Sequence, residues 1–353
     1  MKFQVIKEDC FVKETKRQLK KNEVYYILSD DIKDNNFYYV MKTLFPLYID
    51  ALDKHCKHIY VIVNGGIGDV LMQSSIPEHF KDVNVTFIVT KSKMEAMKWF
   101  KNKVNIIDIS GPLLTDFNIH NRLTKYKNHR MIASVPAFLH NNEADWYEIM
   151  YRQCGFKNIN PDVLRPFLST KRISKAKSNI KDKNALLIIN RASSMLRSMP
   201  FLDVYNSLSD EIKDKYTIYA YKGNLTDDEL KMPFKDVCLI EAKNTSQFLL
   251  DLYDAKEVIT VDTSATHFRE GIQKHAVCLF NSFPKEIRTK HYKYVDCFNI
   301  KSNCNLQFCT IHETTNYTIC PKVKEWQHTA PCFQSNTNKT LIKQLKTIFN
   351  NYL

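Results

Sequence analysis

The sequence predicts an α/β protein made of two domains, each built on a parallel β-sheet. The chain has 353 residues, which is too long for one ordinary domain and sufficient for two. Apolar β-rich runs alternate with stretches whose apolar residues recur at helical spacing, as in parallel sheets covered by helices. This alternation is interrupted over residues 157–184 and then begins again. We therefore predict one sheet before the interruption and a second sheet after it.

The first alternating series begins at residue 58. Its predicted strands and helices span residues 58–63, 69–80, 84–90, 94–100, 104–109, 130–135 and 144–154 in strand, helix, strand, helix, strand, strand, helix order. Together they define a first domain over residues 58–160. Residues 1–57 form an N-terminal extension, for which a hairpin and a helix on the sheet edge are expected.

Pro161, Pro166 and a run of basic residues interrupt the series, so residues 161–184 are predicted to form a basic linker. The second series is predicted as strands 185–190, 216–221, 237–241, 257–261 and 276–280 with helices 201–212, 245–255 and 265–273 between them. It gives a second domain over residues 185–335, followed by an amphipathic helix in residues 336–353. Ligands of such folds bind outside the carboxyl ends of the strands, in the cleft between the two domains.

Composition and charge narrow the class of protein. With 44% hydrophobic and 25% charged residues, the chain can bury two cores and is not a disordered tail. No apolar run is long enough for a transmembrane segment, and charges interrupt the N-terminal residues, so we expect a soluble cytoplasmic protein. The net charge of +13 points to an anionic partner such as nucleic acid, nucleotide phosphates or phosphorylated glycolipid, or else reflects a lysine-rich coding bias.

Three of the seven glycines in the chain, Gly65, Gly66 and Gly68, fall within four residues of each other. They follow a predicted strand and open a predicted helix, so their backbone N–H groups are placed to approach an anion. The pattern differs from the dinucleotide-binding GxGxxG. Asp69 then lies in the first turn of the helix, where a carboxylate serves either as an N-terminal cap or as a general base.

Two further loops follow strands of the second domain and open helices. The polar residues of these loops and of the first helical turn are Arg191, Ser193, Ser194 and Arg197 in the first loop, and Asp262, Thr263, Ser264 and His267 in the second. The first group binds phosphates through charge-assisted hydrogen bonds or forms a solvated basic loop. The second group either caps its helix or cradles a nucleotide diphosphate.

The combination resembles glycosyltransferase family 9, the ADP-heptose:lipopolysaccharide heptosyltransferases. That family has a strand followed by G-x-x-G-D-x-L, which Gly65, Gly68, Asp69 and Leu71 match. It also has a basic residue three positions before a proline and a D-T-G-x-x-H turn before a V-x-L-F strand. The corresponding residues here are Arg197 before Pro200, Asp262, Thr263 and His267, with AVCLF as the strand. The resemblance covers residues 58 to 285 approximately.

The resemblance implies the GT-B fold, in which two Rossmann-like parallel-sheet domains face each other across a cleft. It implies a nucleotide-diphosphate sugar as donor, inversion at the anomeric carbon, and no required metal or other cofactor. Asp69 would be the catalytic base, while Arg197 and the 262–267 turn would hold the diphosphate. Tyr221, Lys222 and Gly223 fall where the family contacts the nucleoside. Ser264 departs from the family's glycine, and Arg197 from its lysine.

The acceptor stays open between two hydroxyl-bearing classes. The resemblance favours a bacterial surface glycan, with possible peripheral contact to a membrane. The +13 charge and the basic linker favour DNA with a hydroxymethylated base, as modified by phage enzymes. A non-catalytic binding protein with the GT-B fold is a third hypothesis.

Four cysteines cluster near the C-terminus, over residues 304–332. They are Cys304, Cys309, Cys320 and Cys332, with His312 and His328 among them. Their spacing differs from the paired C-x2-C arrangement of zinc sites, so we expect free or partly buried thiols and no metal. Zinc is the less favoured alternative, and a disulfide is expected only outside a reducing compartment.

Overall fold

A computed structural model describes most of the two predicted domains. It describes residues 2–5, 10–12, 17–19, 24–27, 58–63, 66–81, 83–108, 114–115, 129–133, 145–153, 159–173, 177–193, 195–232, 234, 236–281, 284–301 and 339–353.

The described strands and helices are numbered here in chain order. The strands are β1 (Lys2–Val5), β2 (Cys10–Val12), β3 (Arg17–Leu19), β4 (Val24–Ile27), β5 (His58–Ile62), β6 (Asn84–Val89), β7 (Asn105–Asp108), β8 (Leu114–Thr115), β9 (His129–Ala133), β10 (Ala185–Ile189), β11 (Thr217–Tyr221), β12 (Val237–Ile240), β13 (Glu257–Val261), β14 (Ala276–Phe280) and β15 (Val295–Asn299). The helices are α1 (Ile67–Met72), α2 (Ser75–His79), α3 (Lys91–Met97), α4 (Trp146–Gln153), α5 (Phe201–Asn206), α6 (Asp210–Lys215), α7 (Asp227–Leu230), α8 (Thr245–Asp254), α9 (Ser264–Gly271), α10 (Glu286–Thr289) and α11 (Lys339–Tyr352).

The second half is a six-stranded parallel sheet in the order β12-β11-β10-β13-β14-β15. Within this half the strands therefore run 3-2-1-4-5-6, which is the order of a doubly wound Rossmann sheet. The chain direction across the sheet reverses between β10 and β13. All five residues of β10 and of β14 are buried, as expected for central strands covered on both faces.

The first half is a smaller parallel sheet in the order β7-β6-β5-β9. Its order also reverses beside its first strand, β5, from whose carboxyl end the glycine loop leaves. The predicted α/β class with two parallel sheets is thus confirmed. In the N-terminal extension, β1 pairs antiparallel with β4 and β2 with β3, and β4 also pairs with β8.

Several predicted elements differ from the observed ones for local reasons. The helix predicted over 69–80 is two short helices, because Pro77 has no N–H to continue the first one and the Ser74 hydroxyl donates to the Leu71 carbonyl at 2.6 Å. The helix predicted over 201–212 is also split, since Ser209 caps a new helix by accepting from the Ile212 N–H. The sixth strand β15 was not predicted.

The segment predicted as a basic linker packs against both halves of the molecule. The Leu168 N–H donates to the Gly271 carbonyl of the second half at 3.1 Å. The neighbouring Ser169 N–H donates to the Trp99 carbonyl of the first half at 2.7 Å. Arg165 forms a 3.2 Å ion pair with the fully buried Glu270 carboxylate. This stretch is therefore a strap that hydrogen-bonds the two halves to each other.

A continuous apolar core runs from the first half into the second. Trp99 is 1% exposed, and its ring centroid lies 4.9 Å from that of Phe268 on α9. Helix α1 of the first half packs on α9 of the second. Because these contacts bury large apolar side chains, they fix the relative position of the two sheets in this conformation.

We predict that Gly271→Ala destabilises the protein. A Cβ built on Gly271 would lie 2.5 Å from Leu168 Cγ and 3.1 Å from Pro166 Cβ, so the strap must shift. Overpacking of this kind costs about 1–3 kcal/mol, which outweighs the helix-propensity gain of under about 1 kcal/mol. The free energy of unfolding in urea measures the effect.

Gly223→Ala is the matched control, since no atom lies within 4 Å of a Cβ built there. Its unfolding free energy should stay within about 0.5 kcal/mol of wild type. Equal stability of Gly271→Ala and Gly223→Ala would show that the strap yields without cost.

Candidate functional site: the cleft between the two sheets

Residues of both halves line a cleft of about 860 Å³. Its walls come from the residues that follow the carboxyl ends of β5, β10, β11 and β13. In the second half the cleft lies where the strand order reverses between β10 and β13, which is where open α/β sheets bind their ligands. The volume falls within the range of roughly 300–1,000 Å³ that is typical of small-molecule sites.

Asp69 lines the first-half wall of the cleft and also caps α1. Its Oδ2 accepts from the Gly66 backbone N–H at 2.6 Å, so one oxygen holds the glycine loop against the helix. Within the described residues, Oδ1 makes no hydrogen bond. Burial raises the pKa of Asp69, and the charges of Arg288, Arg197 and Lys93 partly offset that rise. The cap and the general base are thus compatible roles for this carboxylate.

Gly68 is the closest point between the glycine loop and the second half. A Cβ built on it would lie 3.1 Å from His267 Cδ2 and 3.6 Å from the Ser264 Cα. A side chain at this position would press on the imidazole, so this glycine serves a close approach between helices. The N-terminal turns of α1 and α9 consequently meet at the cleft.

The Asp262 carboxylate holds two arginines at the second-half wall. It is 1% exposed, and its two oxygens accept from Arg288 Nη1 at 3.0 and 2.8 Å. Arg197 Nη1 donates to the Asp262 backbone carbonyl at 3.0 Å, and its Nη2 donates to Ser193 Oγ at 2.9 Å. Both arginines line the cleft. One buried carboxylate therefore fixes two cations, which leaves a net positive charge facing the cavity.

His267 and Thr263 belong to the turn that opens α9. Thr263 is its N-cap, with Oγ1 accepting from the Ala265 N–H at 3.2 Å, so the capping interpretation of this turn holds for that residue. His267 lines the cleft and is 3% exposed. Burial is the main cause that lowers the pKa of His267 to about 3. The ring is therefore neutral at physiological pH and carries one proton.

Apolar residues of the second half form part of the cleft wall. Ile240, Ala242 and Phe248 line it beside Tyr221 and Gly223, together with the polar Asn224 and Glu241. The Tyr221 hydroxyl donates to the buried Asp251 carboxylate at 3.0 Å, so this tyrosine offers its ring and backbone to the cavity. Arg191 Nη1 donates to the Gly223 carbonyl at 2.8 Å and joins the two loops. An apolar surface next to a cationic wall suits the flat base of a nucleotide.

The structure brings most of the predicted site residues to one cleft. Those that line it are Gly66, Gly68, Asp69, Arg191, Ser193, Arg197, Tyr221, Gly223, Thr263, Ser264 and His267. Asp262 lies behind the wall and acts on the arginines. Lys222 is exposed, with its Nζ 3.7 Å from Glu241 Oε1, and does not line the cavity. Gly65, Ser194 and the cysteines Cys304, Cys309, Cys320 and Cys332 lie outside the described residues.

Sequence reasoning missed several residues of the cleft, among them Arg288 and Trp146. Arg288 lies on the short helix α10, in a lysine-rich stretch without a recognisable motif. Its guanidinium lies 5.0 Å from the centroid of the Trp146 ring, which comes from α4 of the first half. Nothing in the sequence distinguishes this tryptophan from a core residue, because the two sides of the contact are more than a hundred positions apart.

No protein-family model matches the sequence, and no curated protein matches it either. Solved structures do match. A glycosyl transferase family 9 structure from Veillonella parvula has 14% identity and a TM-score of 0.56, covering 85% of this chain and 99% of its own. The E. coli ADP-heptose lps heptosyltransferase II has 9% identity and a TM-score of 0.50, covering 83% and 99%. The heptosyltransferase TibC of enterotoxigenic E. coli has 8% identity and a TM-score of 0.53, covering 100% and 92%.

These likenesses define the class of fold. The chain has the two-domain GT-B fold of glycosyltransferases, and the particular structures that it resembles are those of family 9 and of heptosyltransferases. The resemblance inferred from the sequence motifs is confirmed at the level of the fold. Within the part of the chain that the structure describes, no helix is long and apolar enough to cross a membrane, and no cluster of three potential ligands could hold a metal ion.

We predict that His267 makes the protein less stable as the pH falls below 6.5. Its pKa is lowered to about 3 in the folded state, so the unfolded chain binds a proton that the native state does not. Stability is then lost progressively as the pH falls from 6.5 towards 3. At pH 5 the expected loss is about 2 kcal/mol relative to pH 8. Urea unfolding at both pH values should show that the free energy of unfolding falls less between pH 8 and pH 5 in His267→Gln than in wild type.

His275 provides a control of opposite sign. The carboxylates of Glu257 and Asp296 accept hydrogen bonds from its ring nitrogens and raise its pKa, so its contribution is present at low pH and lost as the pH rises through that value. His275→Gln should therefore lose more stability on acidification than wild type, by under about 1 kcal/mol because the pair is partly exposed. If the free energy of unfolding changes equally with pH in wild type and His267→Gln, His267 is protonated at pH 5 in the native state as well as in the unfolded chain.

Proposed function

We propose that this protein is an inverting glycosyltransferase that moves a sugar from a nucleotide-diphosphate sugar to a hydroxyl acceptor. The observation that carries the proposal is that a carboxylate and a pair of fixed arginines face each other across one cleft. A half-buried carboxylate, Asp69, lies on one wall, and two arginines fixed by a buried aspartate, Arg197 and Arg288, lie on the other. The GT-B fold supports this activity by analogy, and the arrangement of the cleft residues supports it by chemistry.

The arginine wall suits the leaving group. When the bond between the anomeric carbon and the diphosphate oxygen breaks, the electron pair stays on the diphosphate and its negative charge grows. Arg197, Arg288 and the N-terminus of α9 are already oriented, so they stabilise that charge without reorganisation. Asp262 is a positioning residue in this scheme, because its carboxylate contacts the arginines and not the cavity.

Asp69 suits the role of general base. The acceptor hydroxyl oxygen attacks the anomeric carbon from the face opposite the diphosphate, and the hydroxyl proton passes to a carboxylate oxygen of Asp69. A single displacement of this kind inverts the configuration at that carbon. The raised pKa of Asp69 brings its basicity closer to neutral pH, where proton abstraction is most effective. The proton then leaves to solvent.

The donor's nucleoside is proposed to lie against the apolar part of the cleft wall, beside Tyr221 and Gly223. TibC is described as bound to ADP-D-beta-D-heptose, so ADP-sugars are the first donors to test. The basic wall suits any nucleoside diphosphate, since both phosphates are recognised by charge. No metal is needed in this scheme. TibC is also described as iron-containing, so the iron and zinc content of the purified protein is a further quantity to measure.

For the acceptor we propose a bacterial surface glycan. The fold likeness to an ADP-heptose lps heptosyltransferase supports this choice. DNA with a hydroxymethylated base is the second candidate, favoured by the net charge of +13. Peripheral membrane contact would accompany a glycolipid acceptor. Location in the cytoplasm also stays a prediction.

The experiment is a mass-spectrometric screen of nucleotide-sugars against both acceptor classes. A glycan product that forms at both 50 and 200 mM salt supports the first acceptor. A glycosylated DNA product, with binding that falls steeply over that salt range, identifies the second. Nucleotide-sugar binding without any product on either class supports the non-catalytic alternative.

Asp69→Asn should lower the transfer rate by about 10²- to 10⁴-fold, because the amide cannot accept the hydroxyl proton. Its Oδ1 still accepts from the Gly66 N–H, so the loop and the affinity for nucleotide should be retained. Rates from donor turnover and affinities from calorimetry measure the two effects. Asp227→Asn, at an exposed position on α7, is the matched control and should transfer normally. Near-normal transfer by Asp69→Asn would remove Asp69 from the base role.

A further inference from the structure

Three ring side chains form a hydrogen-bonded row from the first half of the molecule to the cleft. The Tyr147 hydroxyl, on α4, lies 3.0 Å from the Tyr292 hydroxyl. The Tyr292 hydroxyl lies 2.6 Å from His267 Nδ1. Tyr147 is fully buried, and Tyr292 lies partly buried between it and the histidine. Within the described residues, the Tyr147 and Tyr292 hydroxyls have no other hydrogen-bond partners.

The supply of protons determines the direction of these two hydrogen bonds. Each hydroxyl carries one proton, and the neutral imidazole carries one on either Nδ1 or Nε2. If Tyr147 donates to Tyr292 and Tyr292 donates to Nδ1, both hydroxyl protons have acceptors. The imidazole proton is then on Nε2.

The other arrangements leave a buried donor without an acceptor. If Nδ1–H donates to Tyr292 and Tyr292 donates to Tyr147, the Tyr147 proton has no acceptor in the described structure. If Tyr147 and Nδ1–H both donate to Tyr292, the Tyr292 proton has none. A buried donor left unpaired costs more than a buried acceptor with a spare lone pair. The first arrangement is therefore the stable one.

The edge of the imidazole that carries Nε2 is turned towards the cleft. Nε2 lies 3.6 Å from where a Cβ on Gly68 would be, and Gly68 and His267 both line the cavity. A ring with its proton on Nε2 is a donor at this wall, whereas the other tautomer would present a lone pair. Only the donor form complements an anionic oxygen.

We propose that Tyr292 is a positioning residue that holds His267 in the Nε2–H tautomer, so that it donates a hydrogen bond to an anionic oxygen in the cleft. The identity of that oxygen as part of a diphosphate rests on the proposed function.

Nitrogen NMR on full-length protein labelled with ¹⁵N-histidine tests the tautomer directly, because protonated and unprotonated ring nitrogens resonate far apart. The His267→Gln spectrum identifies the His267 signals among those of the 11 histidines. Wild type should show a protonated Nε2 and an unprotonated Nδ1. In Tyr292→Phe, Nδ1 loses its hydrogen-bond donor, so the proton should exchange between the two nitrogens. Tyr147→Phe should keep the wild-type tautomer, because Tyr292 still donates to Nδ1. Nδ1 protonated in wild type would overturn the proposal.

Tyr294→Phe is the matched control, since Tyr294 is exposed and two residues from Tyr292. It should leave the His267 signals unchanged. Because phenylalanine retains the ring, folded far-UV spectra are expected for all three variants. If Tyr292→Phe keeps the wild-type tautomer without exchange, Tyr292 does not set it and the proposal fails.

Calorimetry with inorganic pyrophosphate gives the second readout. Tyr292→Phe should weaken pyrophosphate binding roughly 3- to 10-fold, in line with the loss of one oriented hydrogen bond, and Tyr294→Phe should not. Unchanged affinity in Tyr292→Phe would refute the role of the tautomer in anion binding. The NMR result is independent of sugar transfer. A tautomer change in a protein that binds no nucleotide-sugar would uphold the positioning role of Tyr292 and reject the proposed function.

Discussion

The close packing of α1 on α9 is the contact on which the site depends. It brings the first turn of a first-half helix, with Asp69, against the first turn of a second-half helix, with His267. Gly68 makes this approach possible because a side chain there would meet the imidazole. The apolar contact between Trp99 and Phe268 and the hydrogen-bonded strap at Leu168 act on the same pair of halves. Cleft geometry in this conformation is thus a property of the core and not of the cleft residues alone.

The charges on the second-half wall of the cleft depend on one buried carboxylate, that of Asp262. Asp262 is almost fully buried, and a buried carboxylate is stable only when it is paired. It pairs with Arg288 through its side chain and with Arg197 mainly through its backbone carbonyl. Two cations held by one anion leave a positive wall, which a diphosphate would neutralise under the proposed function. In that scheme a motif aspartate serves an anion site without contacting the anion, a distinction that the sequence pattern does not make.

Local pattern was enough to predict the sheets and their loops, because strand burial and strand-to-helix turns depend on neighbouring residues. The glycine loop and the turns at 191–197 and 262–267 were located in this way, and the structure places them at one cleft. Contacts between distant segments were not predictable. Arg288 and Trp146 approach each other from α10 and α4, and β15 carries Asp296, which interrupts its apolar run. The strap was predicted as a basic linker because its basic composition conceals the buried Leu164 and Leu168.

Asp69 shows how the two walls act on each other. Burial raises its pKa, and the arginines opposite lower it. Under the proposed function, a diphosphate bound between Arg197 and Arg288 neutralises the charge that opposes protonation of Asp69. The pKa of Asp69 then rises when the donor is bound, so its carboxylate becomes a stronger base in the complex than in the free protein. The oxygen that caps the glycine loop remains engaged throughout, which leaves the geometry of the base unchanged while its basicity depends on the ligand.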